Sequence, residues 1–309
     1  MAINKLMRAT LRAISYPDIN SKKHYKTERL VVNLAHKHYL RPFYRIWDHK
    51  VLVENHEIPV RVFAPKMKGK FPVLLFFHGG GWVTGSIDSY DKVCSNMAQI
   101  TNHIVVSVDY RLAPEYPFPI GLEDCYAVAK ELFLNSDIFR ISPEEITLIG
   151  DSAGGNIAAV VSLMARDRGD FSPKKQILLY PATYNDHSES APFPSIIENG
   201  TDFILTSRRI RDYMDLYIQN KQQDWNNPYF APLLAEDLSN QPNTLILTAE
   251  YDPLRDEGEA YGKKLRKFGN NVEIHRLADA LHGFISLSPS FPHVKKSYAY
   301  INRFLQHFI

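Results

Sequence analysis

Cysteine is almost missing from this chain of 309 residues, with Cys94 and Cys125 its only two. Two thiols build no disulfide framework, and neither belongs to a C-x-x-C pair, so both read as small core hydrophobes of a reducing compartment. An excess of one charge is also lacking: 36 Lys and Arg stand against 34 Asp and Glu, a formal net charge of +2. A surface that tracks phosphates makes its domain strongly basic, so nucleic-acid binding is excluded as the main role. The same balance excludes an acidic disordered chain. Long apolar runs are absent. Val73–Phe77 and Ile157–Ala165 fall far short of the ~20 residues that cross a bilayer, which excludes stable membrane insertion by a helix. Within Met1–Tyr16 the apolar residues follow a helical rhythm, and Lys5, Arg8 and Arg12 interrupt any signal-peptide core. That segment reads as an amphipathic helix docked on the protein itself, with an organelle transit peptide as the alternative. There is no internal repeat, Gly/Ser linker or H-E-x-x-H pair, and His36-Lys37-His38 reads as a solvated stretch. No metal and no organic cofactor are expected. A soluble, cytoplasmic globular protein remains.

What the chain does have is hydrophobic substance, 45% of its residues, enough at this length to bury roughly 75% of the unfolded surface. Short β-branched runs recur, and many are followed by helical periodicity. Strands are predicted over Ile46–Glu54, Ile58–Phe63, Val73–Phe77, Ile104–Val108, Ile146–Ile149, Gln176–Leu179, Thr244–Thr248 and Val272–Arg276. The inner ones (VLLFF, IVVSV, ITLIG, QILLY, TLILT) are apolar almost throughout, as strands covered on both faces are. Helices are predicted over Asp88–Ile100, Gly121–Asn135, Gly154–Arg168, Glu257–Phe268 and Val294–Phe308. The alternation means an α/β doubly wound sheet. Its first two strands join as an antiparallel hairpin through Asn55–His56–Glu57.

Two segments break the alternation: 1–44, and the interval of about 60 residues after Leu179, too long for a loop without structure of its own. The second carries a helix signal, with Ser207 as N-cap and Ile210, Tyr213, Met214, Tyr217 and Ile218 on one face. Both read as helical material forming a cap. The expected division is 1–44 and 182–228 for the cap, with 45–181 and 229–309 as the catalytic domain.

The chemistry begins at Gly150-Asp151-Ser152-Ala153-Gly154, a G-x-S-x-G pattern between the run ITLIG and a helical stretch. A serine hydroxyl is a poor nucleophile unless it is exposed, held in one rotamer and set beside a base, which a strained strand-to-helix turn provides. The same turn puts the Ala153 N–H at a helix N-terminus, where developing negative charge is favoured. His78-Gly79-Gly80-Gly81-Trp82 directly follows VLLFF. Consecutive glycines are entropically costly, and exposure of backbone N–H groups explains them. Gly80, Gly81 and Ala153 are the candidate oxyanion donors. His78 orders the loop in this reading.

A serine hydrolase on such a sheet places its acid and then its histidine after the serine in chain order. Asp252 follows the run TLILTA, and His282 lies in Leu281-His282-Gly283-Phe284 beyond VEIHRL. Both follow carboxyl ends of strands, where open α/β sheets gather their ligands. Asp256 and Asp279 are rival acids. Asp256 falls where the next helix begins, and Asp279 is close in sequence to His282.

The motifs HGGGW at 78–82, DYRLAPE at 109–115, GDSAGG at 150–155, DPLRDEG at 252–258 and HGF at 282–284 resemble those of the hormone-sensitive-lipase-like carboxylesterases. These are α/β-hydrolases related to the arylacetamide deacetylases. The resemblance runs from about Val73 to Phe308. It implies an α/β-hydrolase fold with an eight-stranded, mostly parallel sheet flanked by helices and topped by a helical cap. It implies the triad Ser152, Asp252 and His282, and a structural role for Asp109, Arg111 and Glu115 through ion pairs. It also allows a homodimer through the edge strand at Val272–Arg276.

The expected function is carboxylic-ester hydrolysis through a serine acyl-enzyme, on short to medium acyl esters of small molecules. Activity is expected to rise with pH as the histidine becomes neutral. An amidase or deacetylase using the same triad is the alternative, a peptidase of the same fold a further one, and a non-catalytic small-molecule receptor the rival from another class. Trp82, Phe203, Tyr213, Met214 and Tyr217 are the candidate substrate-binding residues.

Overall fold

The structure is a computed structural model, and it describes residues 11–12, 20–35, 45–53, 56–67 and 69–307. Most of the helix expected over Met1–Tyr16, and all of His36-Lys37-His38, lie outside these residues. Eight strands form one sheet: β1 (Arg45–Val53), β2 (His56–Ala64), β3 (Val73–Phe77), β4 (Ile104–Val108), β5 (Ile146–Asp151), β6 (Lys175–Leu179), β7 (Asn243–Tyr251) and β8 (Val272–Leu281), in the spatial order β1-β2-β4-β3-β5-β6-β7-β8. β1 and β2 run antiparallel, as do β2 and β4, while every pair from β4 to β8 is parallel. This is the expected α/β-hydrolase sheet. His56 and Glu57, expected in the hairpin turn, already belong to β2, where they face Val53 and Leu52. Glu57 crosses the ladder to pair with Lys50.

Every residue of β3, β5 and β6 is buried, which explains why their sequences do not alternate. The helices in chain order are α1 (Ser21–Ala35), α2 (Asp91–Thr101), α3 (Ile120–Leu134), α4 (Ala153–Arg168), α5 (Pro194–Glu198), α6 (Ser207–Tyr217), α7 (Lys221–Asp224), α8 (Arg255–Lys267) and α9 (Pro292–His307). On one face, Leu75, Phe77 and Leu148 pack with Leu122, Ile157, Val161 and Leu265 of α3, α4 and α8. On the other, Leu74, Phe76 and Ile149 meet Val93 and Met97 of α2 and Ile301 and Phe304 of α9. Each such side chain contributes roughly 1.5–3 kcal/mol by leaving water.

α2 begins three residues later than the periodicity suggests. Asp88 is occupied outside the helix, accepting a hydrogen bond from the buried Arg61, which also binds Asp48 and Asp91. α6 starts at Ser207, yet its N-cap is Thr206, whose hydroxyl accepts from the Arg209 N–H. The Ser207 hydroxyl instead donates to the Ile196 carbonyl, tying α6 to α5. Three short helices, α5 to α7, occupy the interval between β6 and β7, and α1 lies against α6 through Ser21 N–H to Asp212 and Tyr213 OH to Glu28. Among the described residues, no helix is long and apolar enough to cross a membrane. Because the central strands are parallel, the residues following β3, β5 and β7 meet at one edge of the sheet.

Candidate active site

Ser152 sits in the one-residue turn between β5 and α4 with φ 55° and ψ −120°, a left-handed conformation that side chains rarely adopt. The strain is over-determined. Its N–H donates to the Leu179 carbonyl at 2.9 Å, and its carbonyl accepts from Asn156 N–H at 3.0 Å and from Ala182 N–H at 3.3 Å. The turn also requires Gly154, because a Cβ there would overlap the Phe77 carbonyl of β3. Local sequence thus fixes a half-buried hydroxyl, bordering the cavity, in one orientation.

His282 Nε2 lies 2.9 Å from Ser152 Oγ, and its Nδ1 lies 2.7 Å from Asp252 Oδ2. Asp252 is fully buried, and its second oxygen accepts the Leu254 N–H at 2.9 Å. With Nδ1–H donating to the carboxylate, Nε2 is left as the acceptor for the serine proton. A slip in the β7/β8 ladder between Ala249 and Tyr251, opposite Leu277 and Leu281, positions the end of β8 for this contact. Asp279 stands within the slip at φ 59° and donates its N–H to Glu250. Asp256, at the start of α8, is held by Arg255 and by the Ser195 N–H. Burial raises its pKa, but these hydrogen bonds outweigh it and hold the carboxyl below its ordinary value. Asp252, and neither rival, meets the imidazole.

Gly80, Gly81 and Ala153 border the cavity that holds Ser152. Among the described residues none of their N–H groups has an acceptor in the chain, as donors reserved for an oxyanion require. The loop is pinned from below: the Gly80 carbonyl accepts from Val83 N–H, Thr84 N–H and the Thr84 hydroxyl. Gly81, at φ 60°, lies under the Tyr213 ring with no room for a Cβ. His78 is buried, donates from Nδ1 to the Gly79 carbonyl and stacks on Tyr110 at 4.3 Å. Burial lowers its pKa, so it is a neutral ordering group.

Sequence reasoning passed over Asp151. Its buried carboxylate accepts from Gly79 N–H at 2.8 Å and from Tyr90 OH at 3.0 Å, with Tyr180 OH at 3.4 Å. It therefore fastens the oxyanion loop to the nucleophile turn. Burial pushes its pKa up from 3.8 to about 6. A carboxylate adjoining the serine at a buried strand end was the available signal. Of the motif over 109–115, Arg111 pairs with Asp124 and Glu115 with Arg29, whereas Asp109 accepts the Ile87 N–H.

The cavity, about 230 Å³ in volume, corrects the list of substrate-binding candidates. Trp82 and Tyr213 line it, while Phe203, Met214 and Tyr217 do not. Phe203 is buried against the Tyr251 ring at 5.0 Å, Met214 is buried in the hydrophobic core, and Tyr217 stacks behind Trp82 at 4.7 Å. The α6 stripe that carries Met214 and Tyr217 packs into the core, and Phe203 precedes that helix. Ile204, Leu205, Arg209, Ile210 and Leu254 complete the wall instead. Leu254 lies within the motif over 252–258, but no motif marks Ile204, Leu205, Arg209 or Ile210, since apolar residues of a cap look alike whether they face a core or a cavity.

A family model described as alpha/beta hydrolase fold matches residues 74–286. A carboxylic ester hydrolase of Mycobacterium tuberculosis, LipN, is 41% identical over 236 residues, covering 75% of this chain and 62% of that protein. An arylesterase of Saccharolobus solfataricus is 36% identical, covering 77% of this chain and 76% of its own. Among solved structures, a hyperthermophilic esterase of the archaeon Pyrobaculum calidifontis superposes with a TM-score of 0.84 at 34% identity, over 99% of this chain and 98% of that one.

Proposed function

The chain belongs to the alpha/beta-hydrolase family, in its hormone-sensitive-lipase-like branch, and from that premise we propose that it is a serine carboxylesterase. It hydrolyses carboxylic esters of small molecules, with short to medium acyl groups, through an acyl-enzyme. The observation that carries this reading is the continuous relay from Ser152 Oγ through His282 to the buried Asp252.

His282 takes the hydroxyl proton as Ser152 Oγ attacks the ester carbonyl. Asp252 keeps the imidazole in the useful tautomer and stabilises its cationic form. The N–H groups of Gly80, Gly81 and Ala153 take the charge that develops on the carbonyl oxygen, and need no reorganisation to do so. The tetrahedral intermediate collapses by breaking the C–O bond of the leaving alcohol, which receives its proton from His282. Water, deprotonated by His282, then attacks the acyl carbon and releases the acid and free Ser152. No cofactor enters these steps.

In this reading the insertion over 182–228 and the N-terminal segment over 1–44 form the cap that closes the acyl pocket. The small cavity volume supports short to medium acyl groups. The buried free thiols of Cys94 and Cys125 support the reducing cytoplasm as the location, to be checked by cell fractionation. β8 ends the sheet on one side, which supports a homodimer paired along that edge.

The test of the activity is Ser152→Ala. Circular dichroism should show a folded protein, while hydrolysis of p-nitrophenyl butyrate falls by roughly 10⁴- to 10⁶-fold. Near-normal turnover by that variant would sink the assignment.

A further inference from the structure

Arg209 is the one arginine or lysine on the wall of the catalytic cavity among the described residues. It lies in the first turn of α6, four residues before Tyr213, so the two side chains leave the same helix face. It also borders a second, mostly apolar groove of about 490 Å³, to which α1 contributes Val31 and Val32. Arg209 and Tyr213 border both, and so stand between the inner cavity and the outer groove.

Its hydrogen bonding is sparse. A guanidinium carries five N–H donors, yet among the described residues that of Arg209 makes one hydrogen bond, from Nη1 to the Ile204 carbonyl at 3.3 Å. Its Nε is buried without an acceptor. The other arginines of this region are well used: Arg29, for example, binds the Val83 and Ala113 carbonyls and both oxygens of Glu115. Glu28, the acid that shares the outer groove, forms no ion pair with Arg209 and is engaged by the hydroxyls of Ser21 at 2.9 Å and Tyr213 at 3.0 Å. Asp151 also borders the cavity, but its oxygens are committed to Gly79, Tyr90 and Tyr180 beneath the oxyanion loop.

We infer that Arg209 determines specificity by receiving a carboxylate carried on the substrate, remote from the scissile ester. The inference deepens the carboxylesterase reading and rests on it. The favoured class is then the charged ester: a half-ester of a dicarboxylic acid, or an acyl ester of a hydroxy acid. A carboxylate accepts two parallel N–H bonds from the planar fork. Nη2, which makes no hydrogen bond among the described residues and is not shut off from solvent as Nε is, supplies the accessible donor, and the aliphatic wall around Leu205, Ile210 and Leu254 strengthens the pairing by excluding water. A neutral ester of the same length leaves that donor unpartnered.

The test measures proton release at constant pH on two series of esters. In one, the monomethyl esters of succinic, glutaric and adipic acid are set against the methyl esters of uncharged acids of equal length. In the other, butyryl esters of hydroxy acids are set against those of plain alcohols. The first series puts the carboxylate on the acyl half and the second on the alcohol half. In at least one series the intact enzyme should prefer the charged ester by about tenfold or more in kcat/KM, mostly through KM. Arg209→Met should lower that charged-to-neutral ratio by about tenfold, Arg209→Lys should keep part of it, and Glu28→Gln should raise it. Because the readout is a ratio, general damage to the fold does not imitate the effect. A ratio unchanged by Arg209→Met in both series, with neutral esters still cleaved, overturns this inference alone. Failure of the intact enzyme on every ester overturns the hydrolase reading and this inference with it.

Discussion

Asp151 shows how one side chain can link catalysis to stability. Its carboxyl is held above its ordinary value, at about 6 instead of 3.8, because burial penalises the charge more than Tyr90 and Gly79 repay. The native state therefore binds this proton more tightly than the unfolded chain. The stabilisation is complete below about pH 4 and is lost as pH rises through about 6. At 1.36 kcal/mol per pH unit the total is on the order of 3 kcal/mol. Asp151→Asn, which cannot ionise, should accordingly gain on the wild type by up to that amount between pH 4 and 7, as measured by urea unfolding at a series of pH values. A difference that stays flat with pH would remove Asp151 as the cause. The residue also marks a limit of sequence reading. Ser152, Asp252 and His282 announce themselves by chain order and by their places after strands, because a nucleophile, an acid and a base are chemically scarce. Asp151 occupies a position that the pattern leaves open, and only its contacts with Gly79, Tyr90 and Tyr180 distinguish it from any other polar turn residue.

At the scale of elements, legibility follows burial. β3, β5 and β6 are apolar on both faces because helices cover both, so their runs stand out in the chain. α6 was equally visible as an amphipathic helix, but its role was not. Met214 and Tyr217 pack toward the core, whereas Arg209, Ile210 and Tyr213 reach the cavity. Hydrophobic periodicity reports that a face is buried and says nothing of what lies opposite. The cap boundary shows the same ambiguity, since Thr206 and Ser207 are both good N-cap residues and the choice fell on Thr206 once Ser207 was drawn to the Ile196 carbonyl. For β8 the position in the order matters more than its composition. With one side of its ladder unpaired among the described residues, at the margin of the sheet, an edge-to-edge pairing of two copies is the arrangement proposed. Sedimentation equilibrium should return twice 35.5 kDa, and a single-chain mass at every concentration would exclude the pairing.

Across the whole molecule the parallel sheet supplies the fixed parts of the chemistry, and the segments outside it supply the wall that faces the substrate. The three tryptophans sample these regions unequally. Trp47 lies on β1 with 48% of its surface exposed, and Trp225 sits at the end of α7 beneath Lys221. Only Trp82 is stacked flat on a tyrosine, at 4.7 Å and 1° from parallel, beside the nucleophile. That placement makes the indole a built-in optical gauge of occupancy. With Trp47 and Trp225 both changed to Phe, rapid mixing with an ester should quench or brighten the remaining emission in step with acylation, one event per chain. An emission trace that stays level while product appears would mean that the acyl group settles out of the indole's reach.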